Sequence, residues 1–255
     1  MNSPEPNPPA VPNRMLWLSF CVLVLALALY QFSENTADPD LWGHTLFGER
    51  FLRAGHPDKT EPYSWTAHGL PWVNHEILAE AALGGAHQFA GGTGILFLKF
   101  LVGLMTFAIA LRLGGENLPW PQRAAAWAVG ALAVVEISFG FAARPQIFTA
   151  LALAVQLWLL RKIHQEKFRR APALPVLFAL WINTHGGVLA GVVVMFAAAG
   201  ATTLQFFLNK LSGQSAIGNR QSTIASRKTS KAPAETKEEG PSTSIGNRQS
   251  TIGNI

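Results

Sequence analysis

The chain has 255 residues, 49% of them apolar and 14% charged, with a formal net charge of +5. So few charges cannot cover an ordinary soluble surface, and the apolar residues fall in blocks of helical length, so the composition describes an all-α integral membrane protein. Part of the positive charge lies in a polar tail and implies no nucleic-acid partner. The single cysteine, Cys21, excludes an intrachain disulfide and a cysteine metal knuckle.

Residues 1–14 are Pro-rich and read as a disordered N-terminus. MLWLSFCVLVLALALYQF, 15–32, follows at about the length of a short spanning helix. It reads as a retained helix rather than a signal sequence, because Ala37 before Asp38-Pro39 makes a poor cleavage site.

Residues 33–92 form the first long polar segment. Asp38-Pro39-Asp40 suits a helix start, with Asp38 as cap, Pro39 in the first turn and Asp40 at the positive helix end. LWGHTLFGERFLRAG then sets Leu41, Trp42, Leu46, Phe51 and Leu52 largely apart from Glu49, Arg50 and Arg53. That pattern predicts an amphipathic helix on the membrane surface, closed near Gly55. EPYSWTAHGLPW predicts a short hairpin turning at His68-Gly69, and NHEILAEAALGGAHQF a second helix from about Asn74.

Further apolar runs occupy about 93–113, 122–142, 146–160, 173–182 and 188–208. With the first, they give about six transmembrane helices in a domain spanning 15–210. From 211 to 255 the chain is polar and repeats the string IGNRQSTI at 217–224 and 245–252, which predicts a disordered tail.

Positive charge orients the spans. Arg14, Arg112, Arg123 and the 161–170 cluster RKIHQEKFRR fall on one side. Segment 33–92, Arg144 and the NTHGG turn fall on the other. The expected location is a bacterial inner membrane, multi-pass, with a cytoplasmic N-terminus. ADPDLWGH, PWVNHE, RPQ and NTHGG then share the periplasmic face, as parts of one pocket or as unrelated loops.

Each candidate residue has two readings. Asp38 and Asp40 are helix caps or chemical carboxylates, and Asp40 shares a helical face with His44. His75 and Glu76 are solvated first-turn residues or pocket groups; Ala79 in place of a second histidine argues against a zinc protease. Arg144 snorkels at a membrane boundary or holds a phosphate. Asn183 and His185 are costly at membrane depth unless they line a wet cavity or pair. Lys99 and Glu136 are intramembrane charges expected to pair with each other.

Taken in order, ADPDLWGH, GLPWVNHE, ARPQIFT and LWINTHGG resemble the GT-C superfamily of membrane glycosyltransferases over about residues 15–208. The resemblance implies a sugar transferred from a polyprenyl-phosphate donor on the outer face. Asp38 or Asp40 would act as base or help hold a divalent metal, and Arg144 would hold donor phosphate. His44, His75, Glu76, Asn183 and His185 would line the pocket. It further implies a chain corresponding to the N-terminal half of such enzymes, inactive alone or completed by a partner protein supplying further helices. Membrane lipid is the expected surrounding partner. Two other functions fit the same residues: a non-catalytic membrane scaffold or lipid-binding protein, and a small transporter using Asn183, His185 and Glu136.

Overall fold

The computed structural model of the chain describes residues 14–33, 37–138, 141–165 and 168–229, with the side chains of 135–138 and 213–229 left aside. Two compact units divide it, 1–199 and 200–255. Among the described residues the regular elements are helices: α1 (Arg14–Phe32), α2 (Leu41–Ala54), α3 (Ile77–Gly115), α4 (Trp120–Ser138), α5 (Gln146–Gln165), α6 (Ala173–Ile182) and α7 (Val188–Thr229).

Among the described residues, four helical stretches are long and apolar enough to cross a membrane: α1, α3, α5 and Val188–Ser212 of α7. The protein is thus a helical membrane protein, with fewer such helices than the six apolar runs suggest. α6 has 10 residues, about 15 Å at a helical rise, which is half of a hydrocarbon core. α4 is 19 residues long, but Gln122, Arg123 and Glu136 interrupt its apolar character. On α1, Leu16, Leu18, Val22 and Leu23 are all more than half exposed. In water such a face would be untenable; against lipid chains it is ordinary.

The core of the first unit is one cluster of Val24, Ala28 and Phe32 from α1, Val102 and Phe107 from α3, Ala131 and Val134 from α4, with Phe141 and Ile147. A second cluster joins Trp181 of α6 to Ala152 of α5 and Val188 of α7. Here Gly191 is needed, since a Cβ would stand 2.5 Å from the Trp181 ring.

The polar segment between α1 and α3 differs from expectation at the start of α2. Asp40, not Asp38, holds the N-cap position of α2. Asp38 instead accepts the Asp40 N–H at 2.9 Å, so the start moves by two residues and Pro39 sits in the preceding turn. The buried face of α2 is Leu41, Thr45 and Gly48, while Trp42, Leu46 and Leu52 stay 39–55% exposed. The reason is backbone contact: a Cβ on Gly48 would lie 1.7 Å from the Glu80 carbonyl oxygen, and one on Gly84 2.4 Å from the Glu49 nitrogen. Small residues let α2 lie directly on α3, and the bulky apolar stripe faces away. As expected, the second loop helix and the next span are separate helices, which run together as α3 on either side of a kink at non-helical Ala90 and Gly91. Gly91 has φ 58° and ψ −143°, a region open in practice to glycine alone.

α2 closes where expected, with Gly55 left-handed at φ 75° and its N–H on Phe51 O. The 60–71 segment pairs only at a single bridge, Thr60 to Pro71, and turns at Gly69 with φ 79°. Arg50 braces this loop through two 2.9 Å bonds to Asp58. α7 continues as helix to Thr229, beyond the point at which its composition loses an apolar face. Residues 1–13 and 230–255 of the expected disordered termini lie outside the described residues, as does the Glu136 side chain of the expected Lys99 pair.

Candidate functional site

The four polar segments expected on one face do meet. Arg144, between α4 and α5, lies with Nε 2.5 Å from Asp38 Oδ1 and Nη2 2.6 Å from Asp40 Oδ2. The Nη2 contact is an aligned hydrogen bond. The Nε contact is close enough for an ion pair, yet the buried Nε has no aligned acceptor, so charge attraction is its main content. Asp38 is 15% exposed and Asp40 65%. Asp38 is therefore the inner anchor of Arg144, and Asp40 the rim.

Next to this pair lies a histidine–carboxylate cluster. His44 of α2 places Nδ1 3.1 Å from Glu80 Oε1 and 3.7 Å from Glu76 Oε2. Glu80 is 3% exposed. Its second oxygen, Oε2, accepts a short hydrogen bond from Asn74 Nδ2. Glu76, at the head of α3, turns Oε1 toward His185 Nε2 at 3.7 Å and His75 Nε2 at 3.8 Å. Asn74 also orders this turn by accepting the Glu76 N–H at 2.9 Å.

His185 is held from behind. Trp181 Nε1 donates to Thr149 Oγ1 at 3.0 Å, leaving the Thr149 hydroxyl to donate to His185 Nδ1 at 2.9 Å. Gly187 N–H reaches the same Nδ1 at 3.0 Å. With Nδ1 accepting, the neutral imidazole carries its proton on Nε2, facing Glu76.

The two histidines titrate in opposite directions. His44 is raised above its ordinary 6.5, first by its hydrogen bond to Glu80, with burial opposing and the Glu80, Glu76 and Asp40 charges adding. His185 is lowered, first by burial, with Glu76 opposing and His75 and His44 reinforcing. As pH falls, His44 therefore takes up its proton before His185, on the other side of Glu76.

A cavity of about 540 Å³ opens here, lined among others by Asp40, His44, His75, Glu76, Glu80 and Arg144. Asp38 and His185 are in contact with this lining, Asp38 through Arg144 and Asp40 and His185 through Glu76. Asn183 does not join them: its side chain bonds Ala179 O of its own helix, and its backbone oxygen accepts the Leu78 N–H at 2.9 Å. Its part is to cap α3 from α6, because the first N–H groups of a helix lack internal partners.

Sequence reasoning missed Glu80, Asn74 and Thr149. Glu80 carried a signal, since it lies one turn after Glu76 on the same face of the helix. Thr149 carried none, because its partner His185 is 36 residues away.

Comparison with protein-family models, with curated proteins and with solved structures found no match.

Proposed function

We propose that this protein is a GT-C-like membrane glycosyltransferase, or the donor-binding half of one, acting on a polyprenyl-phosphate sugar at the periplasmic face of a bacterial inner membrane. One observation carries the reading. Asp40, His44, Glu76 and Arg144, from three separate parts of the chain, line one cavity in a protein whose α1 and α3 are apolar enough to span a bilayer. A lipid-linked sugar phosphate needs that juxtaposition of ionisable groups and lipid.

The reaction breaks the bond between the sugar anomeric carbon and the donor phosphate oxygen. A bond forms from that carbon to an acceptor hydroxyl, whose proton passes to a carboxylate. Asp40 suits the base role better than Asp38, being on the cavity rim. Asp38 positions Arg144. Charge distribution supports the orientation: Arg161 and Lys162 gather around Glu116 at the α3 C-terminus, the helix end remote from Glu76, as a cytoplasmic basic side would require.

A second reading has its own support. Arg144 is already matched by two aspartates, which reduces its attraction for a phosphate and favours a non-catalytic lipid-binding or scaffold protein. One assay separates the readings. The purified chain in lipid nanodiscs is titrated with an undecaprenyl-phosphate sugar, and sugar release is followed in parallel. Binding that weakens in Asp40→Asn and Arg144→Lys, with release by wild type, supports the transferase. Binding without release that weakens in both variants supports the donor-binding half, binding without release that both variants leave unchanged removes the assigned roles, and no saturable binding of the sugar donor supports the second reading.

A further inference from the structure

The contacts on Glu76 and Glu80 are asymmetric. On each carboxylate one oxygen is engaged from outside the cluster: Glu80 Oε2 by the Asn74 amide, Glu76 Oε1 by His185 and His75. The other oxygen of each, Glu80 Oε1 and Glu76 Oε2, turns to the same atom, His44 Nδ1. All three donor atoms lie within 4.8 Å of one another. Outer groups that fix one oxygen and present the other are what orient carboxylate ligands at metal centres.

We propose that His44 Nδ1, Glu76 Oε2 and Glu80 Oε1 form a binding site for one divalent transition-metal ion, zinc or manganese. Distances of about 2.0–2.2 Å from zinc to nitrogen and oxygen ligands place tetrahedral donors about 3.4 Å apart. The separations of 3.1 and 3.7 Å bracket that value. The imidazole among the donors favours zinc over magnesium and calcium, which prefer all-oxygen cages, and the two carboxylates also admit manganese. Three protein ligands leave coordination open, and all three side chains line the cavity. The open position would accept water or an oxygen of a bound anion. His185 is not a ligand in this arrangement, because its Nδ1 accepts hydrogen bonds and its Nε2 carries the proton. Its role is to position Glu76, as that of Asn74 is to position Glu80.

The assignment does not rest on glycosyl transfer, and metal binding is read without any sugar donor. The full chain, purified in detergent and freed of metal, is titrated calorimetrically with Zn²⁺, Mn²⁺ and Mg²⁺, and Co²⁺ absorption is recorded. The expected result is one saturable equivalent of Zn²⁺ or Mn²⁺, with a four- or five-coordinate Co²⁺ spectrum. His44→Gln and Glu80→Gln should abolish it, and Asn74→Ala should weaken it by about 10–100-fold, as loss of an outer contact does. Helix content by circular dichroism accompanies each variant. If a ligand variant is unfolded, Asn74→Ala and the wild-type Co²⁺ spectrum decide. No saturable equivalent, binding of Mg²⁺ alone, a six-coordinate aquo-type Co²⁺ spectrum, or unchanged affinity in a folded ligand variant would each overturn the site.

Discussion

Removing the Arg144 guanidinium leaves Asp38, 15% exposed, without its cation. Arg144→Ala should therefore cost about 1–3 kcal/mol, the range for a buried polar group left unmatched. Asp40→Asn touches a group 65% exposed and should cost less than about 1 kcal/mol, as surface pairs do. Chemical denaturation of both variants in detergent checks the order; equal costs would mean that Asp38 is not the inner anchor. Away from the cavity, the Arg50 hydrogen bonds hold the Asp58 carboxyl below its ordinary 3.8, with burial opposing. Because the folded value is the lower one, the contribution is present above pH 3.8 and fades as pH falls through the folded value. Wild type should lose stability along that acid limb, and Asp58→Asn should flatten it in melts between pH 2 and 5, a range set at roughly one to two units around the ordinary value.

At the scale of the element, one substitution should have opposite signs on the same helix. Gly43 and Gly48 both lie within α2. A Cβ at Gly43 meets nothing within 4 Å, whereas at Gly48 it would strike the Glu80 carbonyl at 1.7 Å. Gly43→Ala should stabilise by about 0.5–1 kcal/mol through helix propensity. Gly48→Ala should destabilise by about 1–3 kcal/mol through overpacking, and push α2, with His44, away from Glu80. Melting temperatures read the first effect and loss of the high His44 titration by NMR the second. Gly91→Ala belongs here too: its φ of 58° with ψ −143° should cost about 1–3 kcal/mol in strain, with a straighter α3 as the structural sign. These elements show how far composition reaches. The period of α2 and its Gly55 stop were legible in the residues. Which residues pack on α3 was not, because periodicity locates the apolar stripe and not the small residues, Thr45 and Gly48, that meet a neighbouring helix.

For the molecule as a whole, the testable claim is sidedness. The cavity end gathers the segments around Asp40, Glu76, Arg144 and His185, while the other end of α3 meets Arg161 and Lys162. In a Cys21→Ser background, a cysteine at His68 should react with an impermeant thiol reagent from the periplasmic side, and one at Arg169 should not. Labelling of both from the same side would remove the common-face arrangement.

The sequence by itself determined that the chain is helical and membrane-embedded, because apolar blocks of that length have no other satisfied state in lipid. It also marked the ionisable residues around which the cavity forms. Only the tertiary structure decided their work. It paired Arg144 with both aspartates, withdrew Asn183 to cap α3, and brought in Glu80. Those outcomes depend on contacts between residues as many as 106 positions apart, as Asp38 and Arg144 are, set by which helices pack together. Local pattern reports which face of an element is apolar, and has no access to what that face will meet.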